Sequence, residues 1–283
     1  MLFLFRLLLV LVLLYLFLIA PNILHRKVTR KALFPGIFAH RGLYDPDAGI
    51  PENSIAAFRR AVKMGFAVEM DLHLTRDGHL IVIHDNDAER MCGIKKRFSE
   101  MTLDEVRQLR LKETDEKVPT FDEVLEVIGG RVPLLLEMKS PPEEIRSTAI
   151  AEALNARMQD YHGPYCVESF NPLLLRWYKK HAPQVLRGQL AGDYRRRESK
   201  NLRLALLHFL RSHLLFDFLS RPDFICYRHQ SDRNISFRVL RSVFRPLLAA
   251  WTVRSKEEFN RLDPDYDGLI FESFIPNKDR KGE

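Results

Sequence analysis

The 283-residue sequence is poor in the residues that mark several specialised protein classes. Its three cysteines, Cys92, Cys166 and Cys226, show no Cys-x-x-Cys spacing, which argues against a disulfide framework or a zinc ribbon and favours a reducing compartment. With 13 glycines and 15 prolines it is neither collagen-like nor of low complexity. No repeat recurs at the periods typical of solenoids. What remains is one large domain or two small ones.

Acidic residues are missing from residues 1–31, whereas this segment holds five of the 44 basic residues. The other 39 basic residues nearly balance the 37 acidic ones, so the formal net charge of +7 comes largely from the N-terminal segment. A nucleic-acid-binding protein is usually basic in its folded body. We therefore expect no nucleic-acid partner, and nothing in the sequence indicates an oligomeric state.

Leu2 to Ala20 forms an apolar run in which Arg6 is the one charge. As an α-helix this run would be about 28 Å long, enough to cross the hydrocarbon core of a bilayer. We predict a transmembrane anchor over residues 1–21. A buried core helix is seldom this long and this rich in leucine. A cleaved signal peptide is the closer alternative, although Leu18–Pro21 makes a poor cleavage site.

A basic juxtamembrane linker is predicted over residues 22–34. Its cluster consists of His25, Arg26, Lys27, Arg30 and Lys31. Because basic residues beside a membrane span favour the cytoplasmic side, we predict a single-pass membrane protein whose catalytic domain, residues 35–283, lies in the cytoplasm. The lipid bilayer is then a predicted partner.

Short apolar runs alternate with helix-like segments through the rest of the chain. The runs begin near residues 36, 66, 133, 165, 185, 223, 247 and 268. The helix-like segments include Glu143–Arg157, Pro172–His181 and Asn201–Leu219. The tight-turn pair Asp77-Gly78 brings a further run, Leu80–Asp85, back against the second as a hairpin excursion. Eight strands alternating with helices predict an α/β fold, a (β/α)₈ TIM barrel.

Acidic side chains interrupt two of the predicted buried strands. Glu69 and Asp71 are two residues apart, so both point to one face of the second strand, and Glu137 lies in the third. Barrel enzymes build their sites at the carboxyl ends of the strands. Three carboxylates there would make a hard oxygen site suited to Ca²⁺ or Mg²⁺. Taken singly, such residues are more often solvated or ion-paired.

Two histidines accompany these carboxylates. His40 ends the first strand, and His84 returns along the hairpin to a position roughly opposite Glu69. A histidine at a strand end is usually only hydrogen-bonded, but two beside a metal site could act as general base and general acid. Arg41 and Lys139 add positive charge suited to a phosphate. Together these residues predict a metal-dependent site that processes phosphate compounds.

The order of these residues resembles the signature of the glycerophosphodiester phosphodiesterase family over roughly residues 35–276. The matching motifs are His40-Arg41-Gly42, Pro51-Glu52-Asn53-Ser54, Glu69-x-Asp71, Thr75-x-Asp77-Gly78, His84-Asp85, Glu137-x-Lys139, Ser169-Phe170 and Trp251-Thr252-Val253. The resemblance implies a TIM barrel that hydrolyses glycerophosphodiesters to glycerol 3-phosphate and an alcohol with the help of a divalent cation. The site residues that it implies are the metal ligands Glu69, Asp71 and Glu137, the acid/base pair His40 and His84, and the phosphate contacts Arg41 and Lys139.

The last predicted strand departs from the family pattern. Many members end with Thr-Asp where this chain has Phe271-Glu272, so Glu272 either replaces that aspartate or alters a contact behind the site. Pro51-Glu52-Asn53 is interpreted mainly as the start of a helix, with Glu52 able to brace a metal ligand. Trp251 is predicted to line the substrate pocket, with a place in the core as the alternative.

A basic loop, residues 193–200, precedes the apolar segment 201–219. We hypothesise that the loop touches anionic headgroups or a substrate phosphate, and the alternative is a solvated loop before an ordinary barrel helix. The apolar anchor keeps a second function open, a lysophospholipase D or sphingomyelinase D-like enzyme acting on a lysophospholipid. A third is a non-catalytic, membrane-anchored protein that binds phosphodiesters.

Overall fold

The structure is a computed structural model that describes residues 1–22, 36–141, 146–192 and 202–277. Most of the predicted basic linker and the whole of the predicted basic loop, residues 193–200, lie outside the described residues. The first residues of the predicted helix Glu143–Arg157 also lie outside them. The barrel, the hairpin and the candidate site all fall within the described ranges.

Eight parallel strands close into a barrel, and one further strand pairs antiparallel with the second. The strands are β1 (Ile37–Ala39), β2 (Ala67–Leu74), β3 (Leu80–Val82), β4 (Leu134–Met138), β5 (Tyr165–Ser169), β6 (Arg187–Ala191), β7 (Phe224–Arg228), β8 (Leu247–Val253) and β9 (Gly268–Phe271). Around the barrel the order is β1, β9, β8, β7, β6, β5, β4 and β2, and β2 pairs again with β1. β3 is the hairpin excursion. The predicted TIM barrel with its hairpin is therefore confirmed.

Helices separate most successive barrel strands. The described α-helices are α1 (Leu2–Ile19), α2 (Ile55–Lys63), α3 (Glu89–Cys92), α4 (Leu103–Val106), α5 (Phe121–Ile128), α6 (Ala149–Met158), α7 (Pro172–His181), α8 (Leu202–Ser212), α9 (Asp217–Ser220), α10 (Ile235–Val243) and α11 (Lys256–Leu262). Short 3₁₀ helices lie at Pro46–Ala48, Phe98–Glu100, His229–Ser231 and Asp263–Asp265. Pro172–His181 has the predicted bounds.

The prediction of one helix over Asn201–Leu219 is wrong, because this segment contains two helices, α8 and α9. Leu214, between them, has a φ of 57° and a side chain that is 1% exposed. A left-handed residue ends a right-handed helix. The turn at Leu214 thus allows its side chain to enter the core.

Local sequence signals set several helix ends. Ser54 begins α2 by accepting the backbone N–H of Ala57. Thr120 and Glu123 form a capping box at the start of α5, which ends at the left-handed Gly129. These signals fix the ends of the helices that pack on the outside of the barrel.

Alternate strand residues fill the inside of the barrel. Phe38, Leu135 and Ile270 belong to this interior layer. A Cβ atom on Gly188 would lie 2.0 Å from the Phe224 ring, so the glycine makes room for that ring. Because side chains alternate along a strand, residues two places further on also point inward, at the carboxyl end. These residues are His40, Glu137 and Glu272.

α1 is long and apolar enough to cross a membrane, with 18 residues, a mean hydropathy of 3.0 and little burial. A signal sequence has the same properties. The C-terminal turns of α1 pack on the barrel, where Ile19 is fully buried and Tyr15 and Leu16 contact the core. α1 is therefore docked on the barrel at one end and exposed along the rest of its length.

Candidate active site

Four buried carboxylates form the centre of the candidate site. The register places Asp71 of β2 beside Glu137 of β4, and Glu137 beside Glu168 of β5. Glu69 points inward one step earlier on β2. All four residues are at most 7% exposed. Neighbouring parallel strands thus gather four negative groups at one place inside the barrel.

Burial and mutual repulsion shift the pKa values of these groups. Burial, reinforced by Asp71 and Glu137, raises the pKa of Glu69 well above its ordinary value. Burial and then Glu137 likewise raise the pKa of Glu168. Although burial acts to raise it, Lys139 and Arg41 hold the pKa of Asp71 well below its usual range. Asp71 is therefore the carboxylate that its neighbours keep ionised.

Lys139 and Arg41 lie against the carboxylates. The Lys139 Nζ atom is 2.8 Å from Asp71 Oδ1 and 2.8 Å from Glu137 Oε1. The Arg41 backbone N–H donates to Glu69 Oε2 at 2.9 Å, and Arg41 Nε lies 3.4 Å from Asp71 Oδ2. Fully ionised, the four carboxylates would exceed these two cations by two charges.

A divalent cation fits this donor set. Glu69, Asp71 and Glu137 can each offer an oxygen, and these ligand atoms lie within 4.8 Å of one another. Ca²⁺ and Mg²⁺ prefer carboxylate oxygens. Burial and repulsion from Asp71 raise the pKa of Glu137, although the neighbouring Lys139 acts to lower it. A bound cation would offset both effects, because it stabilises the ionised carboxylate. The structure thus brings the three predicted metal ligands together.

His40 lies beside this cluster, with its Nε2 atom 3.9 Å from Glu69 Oε2. Its Nδ1 atom contacts Glu272 Oε2, and because a carboxylate only accepts, Nδ1 carries the proton and donates. Arg254 Nε donates to the other Glu272 oxygen at 2.7 Å. Although burial acts to raise it, the hydrogen bond from His40 lowers the pKa of Glu272 to about 2. Glu272 thus orients His40, whose own pKa is lowered by burial.

His84 is held in a similar way. Its Nδ1 atom donates to Asp85 Oδ1 at 2.7 Å, and Arg90 bonds the other oxygen of Asp85. Although burial acts to raise it, these two hydrogen bonds keep the pKa of Asp85 low. Behind the site, His73 Nε2 donates to the backbone carbonyl of His84 at 3.2 Å, and burial lowers the pKa of His73 to about 4. Each candidate acid/base histidine therefore has Nδ1 fixed by a carboxylate.

Asn53 has a role that sequence reasoning missed. It is fully buried and donates from Nδ2 to Asp71 Oδ2 at 2.8 Å. Its φ of 54° is in the left-handed region, where asparagine is tolerated better than most residues. Glu52 does not brace a metal ligand directly, since it pairs with Arg41 at 2.8 Å and with Arg90 at 2.6 Å. The turn before α2 therefore supports both Asp71 and Arg41.

Two cavities meet at the cluster. One of about 370 Å³ is lined by His40, Glu69 and Trp251, and one of about 620 Å³ extends past Asn171 to Arg211. The residues that line both cavities are His84, Glu137, Lys139 and Phe170. The Trp251 ring packs edge-on against Phe170 with centroids 5.7 Å apart. Trp251 thus lines the cavity while packing against the interior layer.

The predicted site residues lie together, with two differences in detail. His73 pairs with Ile81, so the hairpin register places His84 level with residue 70, one residue from the predicted position. Glu168 was not predicted. It could have been found by the alternation along β5, because Cys166 and Glu168 both point inward.

The fold and site define a TIM barrel with an acidic, cation-suited centre flanked by two histidines. Residues 40–273 match the model of the glycerophosphoryl diester phosphodiesterase family. The chain therefore belongs to this family, as the motifs indicated.

Relatives and solved structures agree with this assignment. A glycerophosphodiester phosphodiesterase of Caldanaerobacter subterraneus is 36% identical over 164 residues, which cover 54% of this chain and 65% of the relative. Human glycerophosphodiester phosphodiesterase 1 is 36% identical over 111 residues, which cover 36% of this chain and 33% of the relative. The matched regions are thus less than two thirds of either relative's length.

The fold is similar to that of an Oleispira antarctica phosphodiesterase solved in complex with the product sn-glycerol-3-phosphate. The TM-score is 0.66 at 22% identity, covering 84% of this chain and 93% of the other. A Thermotoga maritima glycerophosphodiester phosphodiesterase gives a TM-score of 0.60 at 24% identity, covering 83% and 93%. At these identities the likeness supports the barrel fold.

Proposed function

We propose that the protein hydrolyses glycerophosphodiesters to glycerol 3-phosphate and an alcohol, using Ca²⁺ or Mg²⁺. The observation that carries the proposal is the excess of buried carboxylates between two histidines whose Nδ1 atoms are fixed. Family membership supports the same chemistry. A cation bound by Glu69, Asp71 and Glu137 would polarise the phosphate oxygens and offset negative charge at phosphorus.

The chain's own residues would perform the remaining tasks. Arg41 and Lys139 lie at the cluster and would contact phosphate oxygens once their carboxylate partners bind the cation. Of the two histidines, one would remove the proton of the nucleophile and the other would protonate the departing alkoxide. The nucleophile is water, or it is the neighbouring glycerol hydroxyl, whose attack would give a cyclic phosphate that water then opens to glycerol 3-phosphate. Trp251 would pack against the substrate from the opposite wall.

The first test is release of glycerol 3-phosphate from glycerophosphocholine and glycerophosphoethanolamine by the full chain in detergent. The assay is run with EDTA, Ca²⁺ or Mg²⁺. We expect release that depends on the cation and is lost in His40→Ala. The matched control is His79→Ala, since His79 is 55% exposed at the hairpin turn. Release that EDTA and His40→Ala leave unchanged would contradict the proposed mechanism.

Substrate choice separates the alternative functions. Turnover of lysophosphatidylcholine without turnover of glycerophosphocholine would favour a lysophospholipase D. Binding of a divalent cation and a phosphodiester with no turnover of either substrate would favour a non-catalytic protein.

We also propose that α1 remains on the protein as a membrane anchor, with the barrel in the cytoplasm. The exposed apolar length of α1 and the basic residues after it in the sequence support this. On this proposal the anchor occupies residues 1–21, the linker 22–34 and the catalytic domain 35–283. Mass spectrometry of the membrane-extracted protein should find the N-terminus intact. A mature chain that begins after Ala20 would show a cleaved signal peptide instead.

A further inference from the structure

We propose that the open end of the active site is held against a lipid bilayer, so that the enzyme acts on phosphodiesters carried by membrane lipids. The substrate part of this proposal rests on the proposed phosphodiesterase function, whereas the orientation part does not. Two features carry the orientation. They are the direction in which α1 leaves the barrel and an apolar surface beside the larger cavity.

α1 is attached to the barrel at two levels. Asn22, after the helix, donates its backbone N–H to Pro222 O at 2.8 Å and its side chain to Asp223 Oδ1 at 2.7 Å, at the amino end of β7. Tyr15 Oη donates to Ser236 Oγ at 2.8 Å, in the first turn of α10, which follows the carboxyl end of β7. Followed back from residue 22 to residue 15, the chain therefore runs from the amino end of the barrel towards its carboxyl end.

The exposed part of α1 continues in this direction. A helix is straight over a few turns, so residues 2–14 project beyond the carboxyl end, where the active site lies. These residues span about 20 Å, which is longer than one leaflet but shorter than the roughly 30 Å hydrocarbon core, so with residues 15–22 docked on the barrel the helix enters the bilayer without crossing it. Nearly all of their surface is apolar, and Arg6 is their one charge.

The contacts at the end of α1 fix the helix rigidly to the barrel. Arg221 Nη1 donates to the carbonyls of Phe17 and Ala20 at 2.9 and 2.8 Å, and its guanidinium lies 4.5 Å from the centre of the Phe17 ring. Ile19 is fully buried. If residues 2–14 enter a bilayer, the carboxyl end of the barrel is therefore drawn to its surface.

An apolar surface lies where this contact would form. Leu202, Leu206 and Phe209 are spaced i, i+4 and i+7 along α8, so they share one face, and they are 86%, 56% and 51% exposed. Ile235, 72% exposed, is next to Ser236, which bonds α1. We call these four residues the rim surface. An apolar stripe of this kind on a surface helix is typical of binding at a membrane interface.

The rim surface adjoins the site and carries basic neighbours. Arg211, on the same helix as Leu202, lines the larger cavity together with His84 and Lys139. Arg228, the last residue of β7, and Arg233, just before α10, are exposed and partly balanced by Asp232. Exposed arginines beside apolar side chains suit anionic headgroups. A bilayer is the occupant we infer, because Ile235 of the rim surface is next to Ser236, which bonds the exposed apolar helix α1 through Tyr15.

The orientation is tested without activity, on the full chain in vesicles of phosphatidylcholine and phosphatidylglycerol. A polarity-sensitive fluorophore is attached through Phe209→Cys or, as the matched control, Val243→Cys. Val243 is 55% exposed at the other end of α10. Both proteins carry Cys92→Ser, since Cys92 is the partly exposed cysteine of the described chain. Quenching by nitroxide lipids should be at least about threefold stronger at position 209. Equal quenching, or stronger quenching at 243, would overturn the proposal.

The substrate part is tested by replacing the three α8 residues of the rim surface together, with Leu202→Ser, Leu206→Ser and Phe209→Ser. We expect hydrolysis of lysophosphatidylcholine in vesicles to fall roughly tenfold, while hydrolysis of soluble glycerophosphocholine is unchanged. Met64→Ser with Val243→Ser is the control. An equal fall for both substrates would contradict the proposal. Strong quenching at position 209 without turnover of either substrate would refute the proposed phosphodiesterase and leave the orientation standing.

Discussion

Among the described residues, the amino end of the barrel buries the ion pair of Arg187 and Asp223, whereas the carboxyl end gathers four buried carboxylates and two partly buried cations. At the amino end, Arg187 Nη1 lies 3.2 Å from Asp223 Oδ2. Arg187 also donates to the carbonyls of Ser220 and Arg221 at 3.1 Å, and Asn22 bonds the other oxygen of Asp223. The positive and negative charges of this pair are thus matched within the chain.

The carboxyl end is built differently. Glu69, Glu137 and Glu168 all have raised pKa values, and burial is the first cause in each case. Lys139 and Arg41 neutralise only part of the charge. Charge buried for stability is paired within the chain, whereas charge left unbalanced is available to bind something from outside. The difference between the two ends is thus a physical reason to place function at the carboxyl end.

The largest effect is expected when the unbalanced cluster loses one charge. Glu69→Gln keeps an oxygen for the Arg41 backbone N–H but offers a neutral ligand to a cation. We expect the rate of glycerol 3-phosphate release to fall about a thousandfold. Glu126→Gln, at an exposed position on α5, is the control. A loss of less than tenfold would mean that Glu69 is not a metal ligand.

Breaking the balanced pair should affect stability rather than activity. Arg187→Met leaves Asp223 buried without its cation, and we expect the free energy of unfolding to fall by about 3 kcal/mol. Urea unfolding measures this loss, with the exposed Arg238→Met as control. Turnover per folded molecule should not change. A variant of unchanged stability but impaired turnover would contradict this account, because the ion pair at the amino end would then serve activity rather than stability.

The carboxylate behind His40 should have a smaller effect on rate. Glu272→Gln can still accept from His40 Nδ1 but no longer supports a positive charge there. We expect kcat/KM to fall about 30-fold. Because Glu272 raises the pKa of His40, the limb of the pH profile that reports His40 should move to lower pH. Glu272→Asp should recover part of the rate, and an unchanged profile would show that Glu272 only fills space.

Asp217 on α9 extends the comparison to a buried acid that lies outside the candidate site. It is 1% exposed, and its carboxyl oxygens have no hydrogen-bond partner among the described residues. Burial raises its pKa well above the ordinary value, with Arg221 opposing. The folded state therefore binds the proton more tightly than the unfolded chain, so this acid destabilises the fold at neutral pH and the cost disappears as the pH falls.

Asp217→Asn should therefore stabilise the protein by roughly 1–2 kcal/mol at pH 7.5. The gain should shrink towards pH 4. Urea unfolding of both proteins across this range measures the change. A gain that does not vary with pH would show that the pKa of Asp217 is the same in the folded and unfolded states, as for a solvated carboxyl group.

Much of the fold and of the candidate site was predictable from the two-residue alternation of side chains along each strand. It placed Glu69 and Asp71 on one face, and the spacing of the apolar runs predicted the barrel around them. The alternation does not predict hydrogen-bond partners that come from other loops. The bonds from Asn53 to Asp71 and from His40 to Glu272 join residues 18 and 232 positions apart, and the closed barrel brings them together.

The local sequence pattern also does not predict the break between α8 and α9. The apolar residues of 201–219 suit a helix, and tertiary packing of Leu214 overrides that preference. Glu168 follows the same alternation along β5 and was therefore predictable from the sequence. Its acidic side chain lies in line with Asp71 and Glu137 only because three strands share one register.

Thermal unfolding of the metal-free full chain, titrated with Ca²⁺ or Mg²⁺, tests the central claim most directly. A cation that binds the folded cluster raises the Tm with the logarithm of its concentration. The account predicts such a rise for the natural protein and none for Glu69→Gln. A Tm that does not respond to either cation, or that rises equally in Glu69→Gln, would contradict the claim that the carboxyl end of the barrel is a metal site.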